Sequence, residues 1–187
     1  EACVRLRAEV DLLIDANLDA CWQDDKQSDT RLFAGNLLSE QIAGYFDHPM
    51  LTRVASTYLN TTTLCGYTLA NRVAFTPENK GSGGGFHRDH SGLRDFKAIL
   101  YLSDVDEASG AFQYLEGSHR LKHRLSLILG NGTQWRGKRF EGQPETRYLE
   151  RHGGLRTLTG NAGTLVVTDT TGIHRGRPVG KGCRYAL

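Results

Sequence analysis

The 187-residue chain is 39% hydrophobic and 24% charged, and it carries a net charge of only +2. That length suits one domain with a substantial core, and the composition is typical of a globular protein in water. No stretch approaches the ~20 consecutive apolar residues of a membrane span, and the modest charge comes without an aromatic array that would stack bases. We therefore expect neither a membrane nor a nucleic acid among the partners of this protein.

The ends of the chain and its cysteines favour a cytoplasmic protein. The first residues, "EACVRLRAEVDLLIDANLDACW", are amphipathic and charged throughout, unlike a signal peptide. The chain lacks an initiator methionine and stops within the strand-like "CRYAL", so we expect native residues beyond both ends. Cysteines occur at four scattered positions without a CxxC pair, namely Cys3, Cys21, Cys65 and Cys183. This spacing predicts reduced thiols rather than a disulfide framework or a zinc ribbon.

Two amphipathic helices are predicted in the first third of the chain. Residues 4–22 repeat apolar side chains at helical spacing, with one stripe formed by Leu6, Val10, Leu13 and Asn17. A second helix is expected to begin near Pro49, a residue well tolerated in a first turn. Its apolar side would consist of Leu51, Val54, Ala55 and Tyr58.

From Leu64 onward the pattern changes to short strands separated by turn residues. Candidate strands are "TLCGYTLANRVAF", "FKAILYLSDV", "GAFQYLEGSH", "GTLVVTD" and "CRYAL". In the second of these, Ala98, Leu100 and Leu102 alternate with Lys97, Ile99 and Tyr101, so the two sets face opposite sides. The chain shows no alternation of strands and helices, which argues against a parallel sheet. We predict an α+β fold built on an antiparallel sandwich or barrel.

A candidate metal site lies in "GGGFHRDHSG", residues 83–92. On an extended segment, His87 and Asp89 project to the same side and offer one imidazole and one carboxylate to a common point. The candidate third ligand is His174 in "TDTTGIHRGRPVG", just past an apolar strand. Two histidines and one carboxylate are typical of the facial triad that binds non-haem Fe(II). His90 points away from such a site and is expected to be a solvated loop residue.

The motif His-x-Asp alone is weak, since many polar loops contain it by chance. Here a glycine-rich loop precedes it, a strong strand follows it, and Arg184 comes ten residues after His174. "GGGFHRDHSGLRDFKAILYLSDVDEASGAFQYLEGSHR" and the distal "GTLVVTD…IHRG…R" resemble the phytanoyl-CoA dioxygenase-like branch of the Fe(II)/2-oxoglutarate-dependent oxygenases. The resemblance runs from about Leu64 to the C-terminus.

The resemblance implies a double-stranded β-helix core, the jelly-roll or cupin-like fold, with flanking N-terminal helices. We accordingly expect one oxygenase domain over residues 1–187, divided into a mostly helical flank at 1–63 and a jelly-roll core at 64–187. A basic insert around 121–160, with nine Lys/Arg between Arg120 and Gly160 against three Asp/Glu, would cover the active site as a lid.

The resemblance also implies the cofactors and the chemistry. His87, Asp89 and His174 would bind Fe(II) and so carry the catalysis, and Arg184 would pair with the distal carboxylate of the cosubstrate 2-oxoglutarate. Asn71 matches a position where relatives use an amide to hold the other end of that cosubstrate. Reaction with O₂ would give succinate, CO₂ and a ferryl species that hydroxylates the substrate. Related halogenases replace the carboxylate ligand with a small residue, so Asp89 disfavours halogenation.

The substrate is expected to be a small or medium metabolite, and an anionic one is an open option. Lys97 would contact cosubstrate or substrate, since a lysine facing the interior needs an anionic partner, although its ammonium could instead reach water. Arg136, Lys138 and Arg139 in the basic insert would attract an anionic substrate; a solvated, variable surface is the alternative. The oligomeric state stays unpredicted.

Two other function classes remain open from the sequence. A jelly-roll protein could bind a metal or ligand without catalysis, although the complete triad and Arg184 argue against a degenerate site. A zinc-dependent hydrolase could use His87, Asp89 and another histidine, but no general base is suggestively spaced. The identity of the metal and the dependence on 2-oxoglutarate separate the three classes.

Overall fold

The computed structural model describes residues 1–89, 92, 94–131, 139–140 and 152–187. Its helices are α1 (Ala2–Ala16), α2 (Glu40–Phe46), α3 (Pro49–Leu59) and α4 (Leu121–Asn131). Its strands are β1 (Trp22–Gln23), β2 (Asp29–Leu32), β3 (Ala70–Ala74), β4 (Lys97–Leu100), β5 (Phe112–Leu115), β6 (Leu155–Leu158), β7 (Leu165–Thr168), β8 (His174–Gly176) and β9 (Cys183–Ala186). Helices and antiparallel strands thus coexist, which confirms the predicted α+β class.

The first predicted helix is confirmed, but it is shorter than expected. Val10 and Ile14 are fully buried on its inner face. The helix ends at Ala16 because Asn17 leaves the helical conformation and its Nδ2 donates to the Leu13 carbonyl at 2.8 Å. A short 3₁₀ turn at Leu18–Ala20 follows, and the chain then enters β1. The predicted continuation to residue 22 is therefore wrong.

The second predicted helix begins at Pro49, as expected, and three further elements nearby were not predicted. At the start of α3, the His48 Nδ1 accepts from the Met50 amide at 3.3 Å. The unpredicted α2 is capped by the Ser39 hydroxyl, which accepts from the Ile42 amide at 3.4 Å. The unpredicted β1 and β2 join the same sheet as β3 and β9. Residues 22–32 therefore contribute strands as well as connections.

All strand pairs within the described sheets are antiparallel. One sheet has the order β1-β2-β3-β9, a second pairs β4 with β7, and a third has the order β6-β5-β8. Leu100 and Leu187 exchange backbone hydrogen bonds of 2.9 and 3.0 Å, so β4 continues laterally from β9. Likewise, His87 and His174 exchange bonds of 2.8 and 2.9 Å, so the segment at His87 extends the β8 edge.

Two buried clusters show how these sheets pack. One joins α1 to the four-stranded sheet and contains Val10, Ile14, Leu32, Ile42, Ala70, Leu102 and Leu187. The other contains residues of β5, β7 and β9 and the chain beside them, namely Tyr101, Val105, Ala111, Phe112, Val166 and Ala186. Leu100 packs with the first cluster and Ile99 with the second, which confirms the predicted alternation along β4.

The strand predicted from Leu64 begins only at Ala70. Thr68 instead bonds to the turn after β2: its amide donates to the Asn36 Oδ1 at 2.8 Å, and its carbonyl accepts from the Gly35 amide at 2.9 Å. These bonds replace a strand ladder and leave residues 62–67 exposed.

The structure also describes the state of the cysteines and the apolar character of the helices. All four cysteines are free, as their spacing predicted. No helix in the described part of the chain is long and apolar enough to cross a membrane.

Candidate metal centre

The structure brings His87, Asp89 and His174 together, as the sequence predicted. One ligand atom from each residue lies within 4.8 Å of the other two. The Asp89 Oδ1 lies 3.2 Å from the Nε2 of His87 and 3.6 Å from the Nε2 of His174. His174 opens β8, and the reciprocal backbone bonds described above fix His87 directly beside it. Strand pairing therefore places the two imidazoles side by side.

Backbone carbonyls determine which nitrogen of each imidazole faces the cluster. The Nδ1 of His87 lies 2.8 Å from the Gly85 carbonyl oxygen, and the Nδ1 of His174 lies 2.9 Å from that of Gly172. Since a carbonyl only accepts, each Nδ1 carries the proton and each Nε2 presents a lone pair. Two such lone pairs and one carboxylate oxygen converge, and a bound cation satisfies all three. The donor set therefore fits a divalent metal of the Fe(II) type.

The charge states of these groups favour metal binding. Burial, the largest influence, lowers the pKa of His174 below its ordinary value and outweighs the contact with Asp89, so the imidazole is neutral near pH 7. For Asp89, burial favours the neutral acid, but its polar surroundings, the Lys97 ammonium among them, outweigh burial and hold its pKa well below the usual range. The carboxylate is thus ionised and the His174 imidazole is neutral, and these are the forms that bind a metal ion.

Lys97 lies beside the cluster, and its expected contact with cosubstrate or substrate stays a prediction. Its Nζ contacts the Asp89 Oδ2, while the Oδ1 of the same carboxylate faces the histidines. The Lys97 side chain is 43% exposed and lines the same cavity. Its anionic partner in this structure is therefore Asp89, which explains how a lysine is tolerated at this strand position.

Gly83, in the glycine run before His87, packs so closely against the His87 ring that no side chain would fit at this position. Gly83 has φ +87°, and a Cβ there would lie 2.0 Å from the His87 Cε1. The Arg139 Nη1 donates to the Gly83 carbonyl at 2.6 Å. Arg139 thus contacts the loop that covers His87, and its predicted contact with substrate stays a prediction. Arg136, Lys138 and His90 lie outside the described residues.

Arg184 is buried at one side of the same cavity. Its Nη1 donates to the Gly110 carbonyl at 2.7 Å and its Nη2 to the Asn71 Oδ1 at 2.8 Å. The side chain is 5% exposed, and its Nε has no hydrogen-bond partner among the described residues. A buried guanidinium with a free donor, in a cavity shared with the metal-ligand cluster, is suited to a carboxylate ligand.

Asn71 supports Arg184 in this structure. The Asn71 amide is fixed on its other side, where Nδ2 donates to the Asp29 Oδ1 at 2.7 Å and to the Thr30 carbonyl at 3.1 Å. Both of its amide hydrogens are thereby used, so its Oδ1 is oriented toward the guanidinium. A direct contact between Asn71 and a cosubstrate, which the resemblance implied, stays a prediction.

Asp29 and Arg31 are residues near the site that sequence reasoning missed. Asp29 is 1% exposed and accepts from the Arg31 Nη2 at 2.5 Å, from Asn71, and from the Gly83 amide at 3.3 Å. Asp29 therefore connects Asn71, which holds Arg184, to the glycine loop that packs against His87. The four residues of "DTRL" contain a single apolar side chain, Leu32, and so give no clear strand signal in the sequence.

We expect Asp29→Asn to destabilise the fold by about 2–3 kcal/mol, because the new amide hydrogens would face the donors of Arg31, Asn71 and Gly83. Urea unfolding measures this change. Glu78→Gln is the matched control, since Glu78 pairs with Lys26 at a carboxylate that is 82% exposed. Its effect should stay within about 0.5 kcal/mol. Equal effects of the two substitutions would contradict a structural role for Asp29.

The cluster and Arg184 line one cavity of about 770 Å³. Its polar end contains Asn71, His87, Asp89, Lys97, His174 and Arg184. Its remaining wall comes largely from α2, α3 and the exposed segment before β3. A cavity of this size accommodates a small cosubstrate together with a second organic molecule.

Comparisons with solved structures identify the class of fold. The chain is similar to the epimerase SnoN in complex with Fe³⁺, alpha ketoglutarate and nogalamycin RO, at TM-score 0.69 and 16% identity over 99% of this chain and 72% of that one. It also resembles EctD from S. alaskensis in its apoform, at TM-score 0.66 and 16% identity over 99% and 66%. HygX from Streptomyces hygroscopicus with nickel and 2-oxoglutarate bound is similar at TM-score 0.59 and 18% identity, over 99% of this chain and 75% of that one. At these identities the likeness establishes the fold alone.

The sequence profile of a family then gives the assignment within that class. The profile of phytanoyl-CoA dioxygenase (PhyH) matches residues 1–184, and the chain belongs to this family. The protein is therefore an oxygenase that depends on iron and 2-oxoglutarate, in agreement with the His-Asp-His cluster. Among curated proteins, no significant sequence match is found.

Proposed function

We propose that this protein hydroxylates a small or medium organic metabolite. His87, Asp89 and His174 hold Fe(II), and Arg184 binds the distal carboxylate of 2-oxoglutarate. The observation that carries the proposal is the convergence of three lone-pair donors within 4.8 Å, in one cavity with the unpartnered Nε of a buried arginine. Together they provide a site for the metal ion and a donor for the cosubstrate carboxylate.

When bound at these residues, Fe(II) with 2-oxoglutarate and O₂ would supply oxidative decarboxylation to succinate and CO₂, coupled to oxidation of a substrate C–H bond. The residues of the chain bind and orient. The Gly85 and Gly172 carbonyls keep both Nε2 atoms aimed inward, and Lys97 engages the second carboxylate oxygen of Asp89. Because Asp89 is present and ionised, no ligand position is vacated for a halide, and hydroxylation is the expected outcome.

The double-stranded β-helix is the architecture proposed for the core. In support, the four-stranded sheet continues through β9 to β4 and β7, while β8 carries the His87 segment at its edge. The two layers share the buried cluster around Tyr101 and Phe112. The division into a flank at 1–63 and a core at 64–187, with one oxygenase domain, belongs to the same proposal, as does a cytoplasmic location.

Anaerobic titration of the metal-free protein with Fe(II) and 2-oxoglutarate tests the function. A weak visible charge-transfer band should appear when both are present, because 2-oxoglutarate chelates a ferrous ion held by the triad. His174→Ala should abolish the band. His48→Ala is the matched control and should keep it, since His48 is an exposed cap of α3.

The titration also separates the other function classes. Absence of the band in wild type, together with tight zinc binding, would favour the zinc hydrolase and would contradict this proposal. A band without succinate release in the presence of O₂ and candidate substrates would favour a non-catalytic binding protein. Succinate release on addition of a substrate would establish turnover.

A further inference from the structure

The cavity continues outward from the metal-ligand residues into a wall of aromatic and aliphatic side chains. We call this part the aromatic arm and define it by Phe33, Phe46, Leu64, Tyr67 and Phe96. The whole cavity measures about 770 Å³, and 2-oxoglutarate, a small dicarboxylate at the Arg184 end, fills only part of it. The aromatic arm is therefore available to the second substrate.

Phe33 and Tyr67 form a half-exposed pair within the arm. Their ring centroids lie 5.8 Å apart at an interplanar angle of 55°, and the residues are 45% and 57% exposed. Single exposed apolar side chains are common, but two adjacent aromatic rings lining a cavity are a recognition feature. Rings tilted in this way form a corner in which a planar guest stacks on one face and meets the other edge-on.

The corner is held in place by backbone contacts. The Asn36 Oδ1 and the Gly35 amide bind the amide and carbonyl of Thr68, next to Tyr67. Phe33 directly follows β2, whose Leu32 is 3% exposed in the core. Both rings are thus attached to fixed backbone, and little ordering is needed when a ligand binds.

The charges on the cavity wall argue that the group in the arm is uncharged. Of the basic side chains that the structure describes there, Arg31 pairs with Asp29 and Lys97 with Asp89, and Arg184 is assigned to the cosubstrate carboxylate. The wall also carries the carboxylates of Asp47 and Asp95. An anionic group placed against the arm would therefore find no uncommitted cation among these residues, and burial without one is costly.

We propose that the substrate carries an uncharged, planar ring system that binds between Phe33 and Tyr67 and directs its reacting C–H group toward the metal centre. This inference rests on the proposed function for the metal centre, but the ring-binding site is defined by separate residues. Its specificity comes from aromatic stacking rather than from charge, so ring compounds bind better than alkyl chains of similar apolar area.

The test uses prodan, 6-propionyl-2-(dimethylamino)naphthalene, a neutral ring probe whose emission shifts to the blue in apolar surroundings. The probe is titrated into anaerobic protein loaded with Fe(II) and 2-oxoglutarate. Saturable binding with a blue shift is expected, and 2-naphthol should displace the probe at several-fold lower concentration than 1-octanol. Displacement favouring 1-octanol would overturn the inference in favour of an alkyl substrate.

Variants locate the binding. Phe33→Ala and Tyr67→Ala should each weaken prodan binding roughly tenfold, since each removes one aromatic surface. Phe33→Leu should also weaken it, because leucine keeps the apolar contact but not the ring. Phe75→Ala is the matched control: Phe75 is 51% exposed, comparable to Phe33, and does not line the cavity. Equal binding by all variants, or no loss in Phe33→Leu, would overturn the inference.

The ferrous charge-transfer band is recorded for the same samples. If the band is present but prodan does not bind, only the ring-binding inference is contradicted. Absence of the band with prodan binding contradicts the proposed metal chemistry and leaves the aromatic arm as a binding site. Since Phe33 and Tyr67 are half-exposed, their substitution should not unfold the protein, and circular dichroism of each variant checks this.

Discussion

Asp89→Ala should abolish turnover, with a loss of about 10³-fold or more, and should weaken Fe(II) binding by more than about 100-fold. The substitution removes one of three converging ligand atoms. It also leaves the Lys97 ammonium beside the two imidazoles without a negative charge, so the site repels a divalent cation. Succinate release and equilibrium binding of Fe(II) under anaerobic conditions measure the two effects.

The double variant Asp89→Ala/Lys97→Met separates the lost ligand from the lost charge. If repulsion between Lys97 and the metal ion were the main cause of the lost Fe(II) affinity, the double variant would recover most of that affinity. We expect only partial recovery, because the coordination position stays empty. Asp47→Ala is the matched control, since this exposed carboxylate lines the same cavity. Loss of Fe(II) binding in that control would contradict the assignment of Asp89 as the ligand.

The metal-ligand cluster was predictable from the sequence because its geometry is mostly local. His87 and Asp89 are two residues apart on an extended segment, and that alternation directs both side chains to one side. His174 follows an apolar strand that could be recognised by its composition. The reciprocal hydrogen bonds between His87 and His174 were not predictable, since they depend on which strands lie side by side. They explain why residues so distant in sequence meet within hydrogen-bonding range.

The support around Arg184 depends on contacts that leave no local pattern. Asn71 and Asp29 are separated by 42 positions and Arg184 and Asn71 by 113. Antiparallel pairing of β2 with β3 and of β3 with β9 creates both contacts. β1 contains only two residues and β2 four, too short for a clear alternation. The aromatic arm was missed for the same reason, since Phe33 and Tyr67 lie in connections rather than in periodic elements.

Replacing Arg184 by lysine should weaken binding of 2-oxoglutarate about 100-fold while Fe(II) binding stays close to that of wild type. Lysine keeps the positive charge but cannot present two parallel donors to a carboxylate, and it loses the Nε that has no partner within the described structure. Titration of 2-oxoglutarate into the Fe(II) protein, followed by the charge-transfer band, measures the affinity.

Arg184→Lys should also destabilise the fold. Measuring the free energy of unfolding separates this effect from the loss of 2-oxoglutarate binding. Arg184 also donates to the Gly110 carbonyl and to Asn71, so Arg184→Lys should lower the free energy of unfolding by about 1–3 kcal/mol. Arg72→Lys is the matched control: Arg72 lies on the adjacent strand, pairs with Asp11 at 2.8 Å and does not line the cavity. It should leave 2-oxoglutarate binding unchanged. Wild-type affinity for 2-oxoglutarate in a folded Arg184→Lys protein would contradict the proposed role, because the buried guanidinium would then serve only to support the fold.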